Sequence, residues 1–274
     1  MTGPTFVKIG ARRALLGAEL SELWRYRELL YFLAWRDVKI RYKQTLIGVA
    51  WVVLQPIITV AIFTVLFARV GAIDTGVIAY PVFAFAGLLV WLFTHTAVTA
   101  AGAGFLTNTN LVTKVYFPRV IVPLAATLAA LFDVLFIAVL FAGFMVYYGV
   151  IPTAAIVLAP VFFLLAFILA AAAGILLSAL TVKYRDVKFA LPFALQVWMI
   201  ASPVFYPAAI VSEKWRLWFG INPLTGIIEG FRSSLFGTPF DWPLIAVSCI
   251  SLLVICSVSL LVFTNMEDEL ADVI

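Results

Sequence analysis

The sequence predicts an all-α, polytopic membrane protein. Six transmembrane helices are expected, with an N-terminal amphipathic helix in the interface and an external helical hairpin between spans five and six. Three observations predict it. Of 274 residues, 65% are hydrophobic and only 12% charged, and the mean hydropathy is +1.13. Soluble domains are nearer half apolar and about a quarter charged, so this chain cannot hide its apolar surface in one aqueous core. Apolar stretches of spanning length recur six times, and basic residues gather on alternate connections between them.

A helix needs about twenty mostly apolar residues to cross the hydrocarbon layer. Stretches 48–68, 80–103, 120–147, 153–181, 189–206 and 242–264 are read as spans on that basis. One alternating side then takes residues 1–47, 104–119, 182–188 and 265–274. It holds Lys8, Arg12, Arg13, Arg25, Arg27, Arg36, Lys39, Arg41, Lys43, Lys114, Arg119, Lys183, Arg185 and Lys188, fourteen of the eighteen basic residues. The other side keeps Arg69, Lys214, Arg216 and Arg232. The positive-inside rule makes the first side cytoplasmic, with both termini there. The expected organisation is a cytoplasmic extension over 1–47, a membrane domain over 48–264 and a cytoplasmic tail over 265–274. Residues 1–20 carry Lys8, Arg12, Arg13 and Glu19 without an apolar run of signal-peptide length, so no cleaved signal is expected. Cys249 and Cys256 share the last span, seven residues and about 10 Å apart along a helix, too far for a disulfide. They are read as packing residues.

The first element is the helix before span one, within Arg25–Pro56. At 100° per residue, Arg36, Lys39 and Lys43 fall within about 40° of Arg25. Leu20, Leu23, Trp24, Leu30, Tyr31, Ala34, Trp35, Val38 and Tyr42 cluster opposite, interrupted by Arg27 and Arg41, while Leu29 and Leu33 lie nearer the polar side. Border aromatics with cations beyond them suit a helix lying in the headgroup layer. Such a helix serves as an anchor and orientation signal. Its cations are also well placed to hold a phosphate or pyrophosphate group.

Asp133 falls inside the third span, where an ionisable group is costly and faces protein or a watery path. A hydrogen bond to a neighbouring helix is the expected role. His95, the only histidine, stands beside Thr94 and Thr96 in span two and is expected to bond another helix; it has no companions at metal-ligand spacing. Between spans two and three, Phe105–Arg119 is too polar to cross, and Pro118 stops it before span three. A short helix about 108–116 is expected there. Its apolar Leu111, Val112, Val115, Tyr116 and Phe117 suggest docking onto something. Between spans five and six, Asn222-Pro223 starts a helix with a cap and a first-turn proline, and Gly237 stops it. Glu229 and Arg232 can pair on one face. With a shorter helix at 213–219 this makes an apolar hairpin dipping back into the membrane.

The chain has no G-x-x-x-x-G-K-[ST] phosphate loop, so it cannot bind ATP by that route. One histidine cannot assemble a nucleophile–base set, and Asp133 alone is no proton relay. The chain reads as a conduit driven from elsewhere.

Several segments, in order, carry a resemblance. Arg41-Tyr42-Lys43-Gln44, Gly48-Val49-Ala50-Trp51 and Gln55-Pro56 resemble the opening of ABC-2-type polysaccharide exporter permeases. So do Lys114-Val115-Tyr116-Phe117-Pro118-Arg119, Tyr184-Arg185-Asp186-Val187, Leu191-Pro192, Gln196-Val197-Trp198 and Ser202-Pro203. Asn222-Pro223-Leu224, Ile228-Glu229-Gly230-Phe231-Arg232 and Ala271-Asp272-Val273-Ile274 complete the series. The likeness is strongest to the permeases of O-antigen exporters, although the acidic Glu267-Asp268-Glu269 departs from a more basic family terminus.

The resemblance implies a homodimer in the bacterial cytoplasmic (inner) membrane, bound to two copies of an ABC ATPase subunit that hold the ATP and magnesium. This chain would carry no cofactor or metal, perform no catalysis and bind no nucleic acid. Its substrate would be a polyprenyl-diphosphate-linked glycan, with membrane lipids as the other contact. Arg25, Arg36, Lys39 and Lys43, with Arg41 on another face, are the expected diphosphate entry. Asn108, Asn110, Leu111, Lys114 and Tyr116 fall in the expected ATPase-coupling helix, and Asn222, Pro223, Glu229 and Arg232 in the external gate. Trp51, Phe63, Phe67, Phe83, Phe85, Trp91 and Trp198 are candidates for an aromatic channel lining, although lipid contact or packing is the commoner fate of any one. A teichoic acid or capsular polysaccharide permease would look alike. An ATP-independent pore or scaffold remains a different class, against which the apolar Phe105–Arg119 loop argues.

Overall fold

The computed structural model describes residues 23–43, 48–70, 78–184 and 186–273. Among them are eleven α-helices and no strand: α1 Arg27–Tyr42, α2 Gly48–Val70, α3 Tyr80–Gly102, α4 Gly104–Thr107, α5 Thr109–Lys114, α6 Ile121–Tyr147, α7 Ala159–Lys183, α8 Val187–Ile200, α9 Glu213–Phe219, α10 Pro223–Phe236 and α11 Trp242–Val273. The cations Lys8, Arg12, Arg13 and Arg185 lie outside the described residues.

Five of these helices are long and apolar enough to cross a membrane, within Ala50–Phe67, Tyr80–Gly102, Ile121–Tyr147, Ala154–Lys183 and Trp242–Met266. Prolines punctuate rather than interrupt most of them. α3, α7 and α10 each carry one in the first turn, where the missing N–H has no helical partner to lose. α3 is the hub: it packs on α6 and α7, and α11 packs on the far side of α7. A continuous run from Val82 to Trp91 in α3 is buried. α2 and α8 flank this core and remain largely uncovered. Trp51, Ile58 and Ile62 of α2 and Phe189, Phe193 and Ile200 of α8 are exposed. Apolar area of that extent is covered only by lipid or another chain.

One expected element is corrected, and two others gain closer bounds. Span five was expected over 189–206, but α8 stops at Ile200 after 14 residues, about 21 Å of helix against a hydrocarbon thickness of about 30 Å. The cause is Pro203, which has no N–H and bars Ser202 from the helical region. The short helix expected about 108–116 is present as the six-residue α5, with Val115 extended beyond it. The last span, expected to end at 264, is a candidate span to Met266, and α11 continues as helix to Val273, since no glycine or proline follows Pro243 to end it.

Two ends of the bundle matter for function. The basic end gathers α1, α4, α5, the start of α6 and the end of α7 around Leu33, Phe105, Val112, Phe117 and Ile121. The distal end gathers the starts of α3 and α7 around α10.

Candidate functional site

At the basic end α1 does not lie as a free amphipathic rod. It packs along α6, with Leu33 and Val38 buried and Trp35 and Tyr42 edge-on to Phe132. The side turned to the protein therefore includes Leu33, from the expected polar half. Trp24 and Tyr31, from the expected apolar half, are exposed. Two polar contacts explain the rotation. Arg41 forms an ion pair with Asp133 of α6, and the Tyr42 hydroxyl donates to the other oxygen of the same carboxylate. Burial, and then the Asp133 carboxylate, push the Tyr42 phenol above its ordinary value, so it keeps its proton and stays a donor. Arg36 donates to Asp37 at 2.8 Å and to Asn108 Oδ1. Asn108 sits at the joint between α4 and α5 and donates its own amide to Gly104 O at 2.9 Å.

Of the five expected entry cations, Arg36 and Arg41 are thus engaged in ties to α5 and α6. Arg25, Lys39 and Lys43 are exposed, and the Lys39 ammonium lies 5.7 Å from the Trp35 ring centre. An apolar groove of about 390 Å³ runs between α1 and α6, lined by Leu30, Ala34, Trp35 and Val38 opposite Leu128 and Phe132. In the connection that follows, Asn110, Lys114 and Tyr116 are exposed, and Leu111 is half-buried. Tyr116, at 88% exposure, is a large aromatic presented with nothing over it, while Val112 and Phe117 anchor the segment below.

At the distal end α10 sits inside the bundle. Asn222 caps it, accepting from Leu224 N at 3.2 Å, and Gly237 ends it with φ +70°, a conformation that glycine adopts without penalty. Pro223 and Arg232 are buried, and Glu229 is half-buried. Asn222 also accepts from Trp198 Nε1 at 2.9 Å and donates to Ala201 O and Ser202 Oγ. Glu229 and Arg232 pair at 3.0 Å, three residues apart. Non-helical backbone survives at membrane depth only where protein satisfies it. Asn222 and Arg232 do so for the stretch after α8.

The aromatic candidates divide. Trp51 is exposed on α2. Phe63 stacks on Phe205 at 3.6 Å and neighbours Phe67, which leans on Tyr80. Trp198 is edge-on to Trp91. Phe85 is fully buried against Phe141 and Phe144; Phe83 and Trp91 are buried too. Phe85 and Trp91 lie in the interior of the single chain, as packing does, and do not face a surface that a passage could use, whereas Phe83 lines a small cavity at the distal end. Among the described residues no group of three His, Cys, Asp or Glu stands together as a metal site.

A family model described as ABC-2 type transporter matches residues 28–236. The chain belongs to that family. The match runs from the first turn of α1 to the last residue of α10, so both ends described above fall within it. An O-antigen export system permease protein, RfbA, of Myxococcus xanthus is 28% identical over 257 residues, covering 92% of this chain and 98% of its own length. Two Klebsiella pneumoniae proteins of the same name are 23% and 22% identical over 248 residues, with 90% of this chain and 95% of each relative covered.

Sequence reasoning missed three features of this ABC-2 chain: the partners of Asp133, the break at Ser202, and the seat of Arg232. Only the break had a visible signal, the Ser202-Pro203 pair.

Proposed function

We propose that this chain is the membrane-spanning permease subunit of an ABC transporter. It exports a polyprenyl-diphosphate-linked, O-antigen-like polysaccharide across the bacterial cytoplasmic membrane. It works as a homodimer with two separate ATPase subunits that bind ATP and magnesium, and α1 and α5 lie on the cytoplasmic side. The observation that carries the reading is the near-complete, end-to-end alignment with relatives named as O-antigen export permeases.

The chemistry follows from the two ends. A diphosphate cannot leave water for hydrocarbon without compensating charge. Lys39 and Lys43, with Arg25, supply that charge at headgroup depth. The apolar groove between α1 and α6 offers the isoprenoid tail a surface of its own kind. The sugars pass between two copies, along the uncovered faces of α2 and α8, where Trp51, Phe63 and Phe67 present aromatic surface. α5, with Asn110, Leu111, Lys114 and Tyr116, receives the ATPase. Arg36 ties α1 to that same segment through Asn108, so movement at the ATPase contact reaches the entrance directly.

Reversing Arg25, Lys39 and Lys43 to Glu together tests the entry. Export of lipid-linked glycan is expected to fall while dimer assembly and ATPase association persist. Unchanged export removes these cations from the substrate's path.

A further inference from the structure

The chain leaves helix at Ile200 and runs through Pro203, Val204 and Tyr206 without a repeating hydrogen-bond pattern. Three of the carbonyls freed there converge on one side chain. Arg232 Nη1 donates to Pro203 O at 2.7 Å and Tyr206 O at 3.3 Å, and Nη2 donates to Val204 O at 2.6 Å. Nε donates to Phe83 O, in the first turns of α3, at 3.3 Å. The guanidinium carbon stands 3.6 Å from the Phe83 ring centre, and the residue is 2% exposed. Glu229 closes the set: one oxygen accepts from Arg232 Nη1 and from Ala208 N, at 3.0 and 3.2 Å.

The seat for this group is built from α3. A Cβ at Gly87 would lie 2.4 Å from Arg232 Nη2 and 2.5 Å from Val204 O, so only glycine lets the guanidinium and the irregular segment approach. Asn222, Glu229 and Arg232, seven and ten residues apart, lie on one face of α10 and hold consecutive parts of 201–208. A cavity of about 190 Å³ beside the segment is lined by Phe83, Pro207, Glu229 and Arg232.

We propose that Arg232 is the positioning residue of the distal gate. Its guanidinium fastens the irregular segment after α8 to both α3 and α10, and so fixes where α8 ends and how the outer mouth of the passage is shut at rest. The proposal rests on the export reading above, which puts this end outside. A lysine cannot replace it, because a point charge cannot meet four carbonyls in a planar fork. The polymer's exit then requires 203–206 to move away from Arg232.

The test uses the complete transporter, with its ATPase, in intact cells lacking the Cys249 and Cys256 thiols. Val204→Cys reports the irregular segment, since Val204 is 0% exposed. Ser259→Cys reports the rest of the bundle; Ser259 is 1% exposed in α11 and donates to Ala172 O. A membrane-impermeant maleimide is applied from outside. With Arg232 and Gly87 intact, neither site reacts. With Arg232→Met or Gly87→Ala, Val204→Cys reacts at least about ten-fold faster, as the loss of even one buried charged hydrogen bond implies for a local opening, while Ser259→Cys stays protected. Arg232→Lys gives an intermediate rate and keeps the measurement usable should the methionine variant not assemble. Continued protection of Val204→Cys in all three variants overturns the proposal. So does equal labelling of Ser259→Cys, which makes Arg232 a support of the whole fold. Labelling of Val204→Cys only in inside-out vesicles keeps the fastening and overturns the orientation instead.

Discussion

Arg232 and Arg36 are both arginines that tie one helix to a neighbouring segment, yet their settings differ. The Arg232 side chain is 2% exposed and meets four backbone carbonyls and a carboxylate. The Arg36 side chain is 33% exposed and meets two side chains. The first supplies donors to backbone that has run out of helix, in a place water does not reach. Removing it strands several acceptors at once. The second sits at a wet rim, where either partner can be replaced by solvent. The distal cluster is therefore built for shape, and the basic end keeps charge accessible.

The largest effect should come from Arg232→Met, which takes their donor from the non-helical carbonyls of Pro203, Val204 and Tyr206. Denaturant unfolding of the purified complex is expected to show a loss of about 3–5 kcal/mol, the cost of breaking a buried charge network from one side. A loss under about 1 kcal/mol would put it with the surface pairs and erase the contrast. Asp133→Ala comes next. It removes the carboxylate that Arg41 and Tyr42 share at the seam between α1 and α6, at about 1–3 kcal/mol, and hydrogen exchange should quicken along α1 while α10 stays protected. Asn108→Ala should cost less than about 1 kcal/mol, because Asp37 still holds Arg36; the ratio of glycan exported to ATP hydrolysed should fall more than stability does. Smallest in stability, within about 0.5 kcal/mol, is the pair Lys39→Glu and Lys43→Glu, both exposed. There export should drop while the unfolding midpoint holds.

How much of this was written in the sequence follows the same divide. The bounds of α10 were legible because Asn222, Pro223 and Gly237 act through their own backbone and cap chemistry. The Glu229–Arg232 pair was legible from a three-residue spacing. The acceptors of Arg232 were not, since they are carbonyls of residues about 30 and 150 positions away, and any residue type offers a carbonyl. The end of α8 was half legible: Ser202-Pro203 is a plain break, but the apolar run continues through Val204 and Phe205 and masks it. The roll of α1 was misjudged because angle alone puts Arg36 among the outward cations, whereas Asn108 and Asp133 draw Arg36 and Arg41 inward. Nor could α2 and α3 be told apart. Both have 23 residues and are largely apolar, yet 11% of the membrane-crossing stretch of α2 is buried against 78% for α3. What covers α2 is lipid or a second copy, and neither leaves a mark on its composition.

The most direct measurement is reconstitution of the purified chain in lipid vesicles, with and without its ATPase subunit, followed by transfer of a polyprenyl-diphosphate-linked glycan to the opposite leaflet. Transfer is expected only when both proteins and ATP are present. Transfer at full rate by the chain alone, with no nucleotide, would contradict the reading of a permease whose energy comes from another polypeptide.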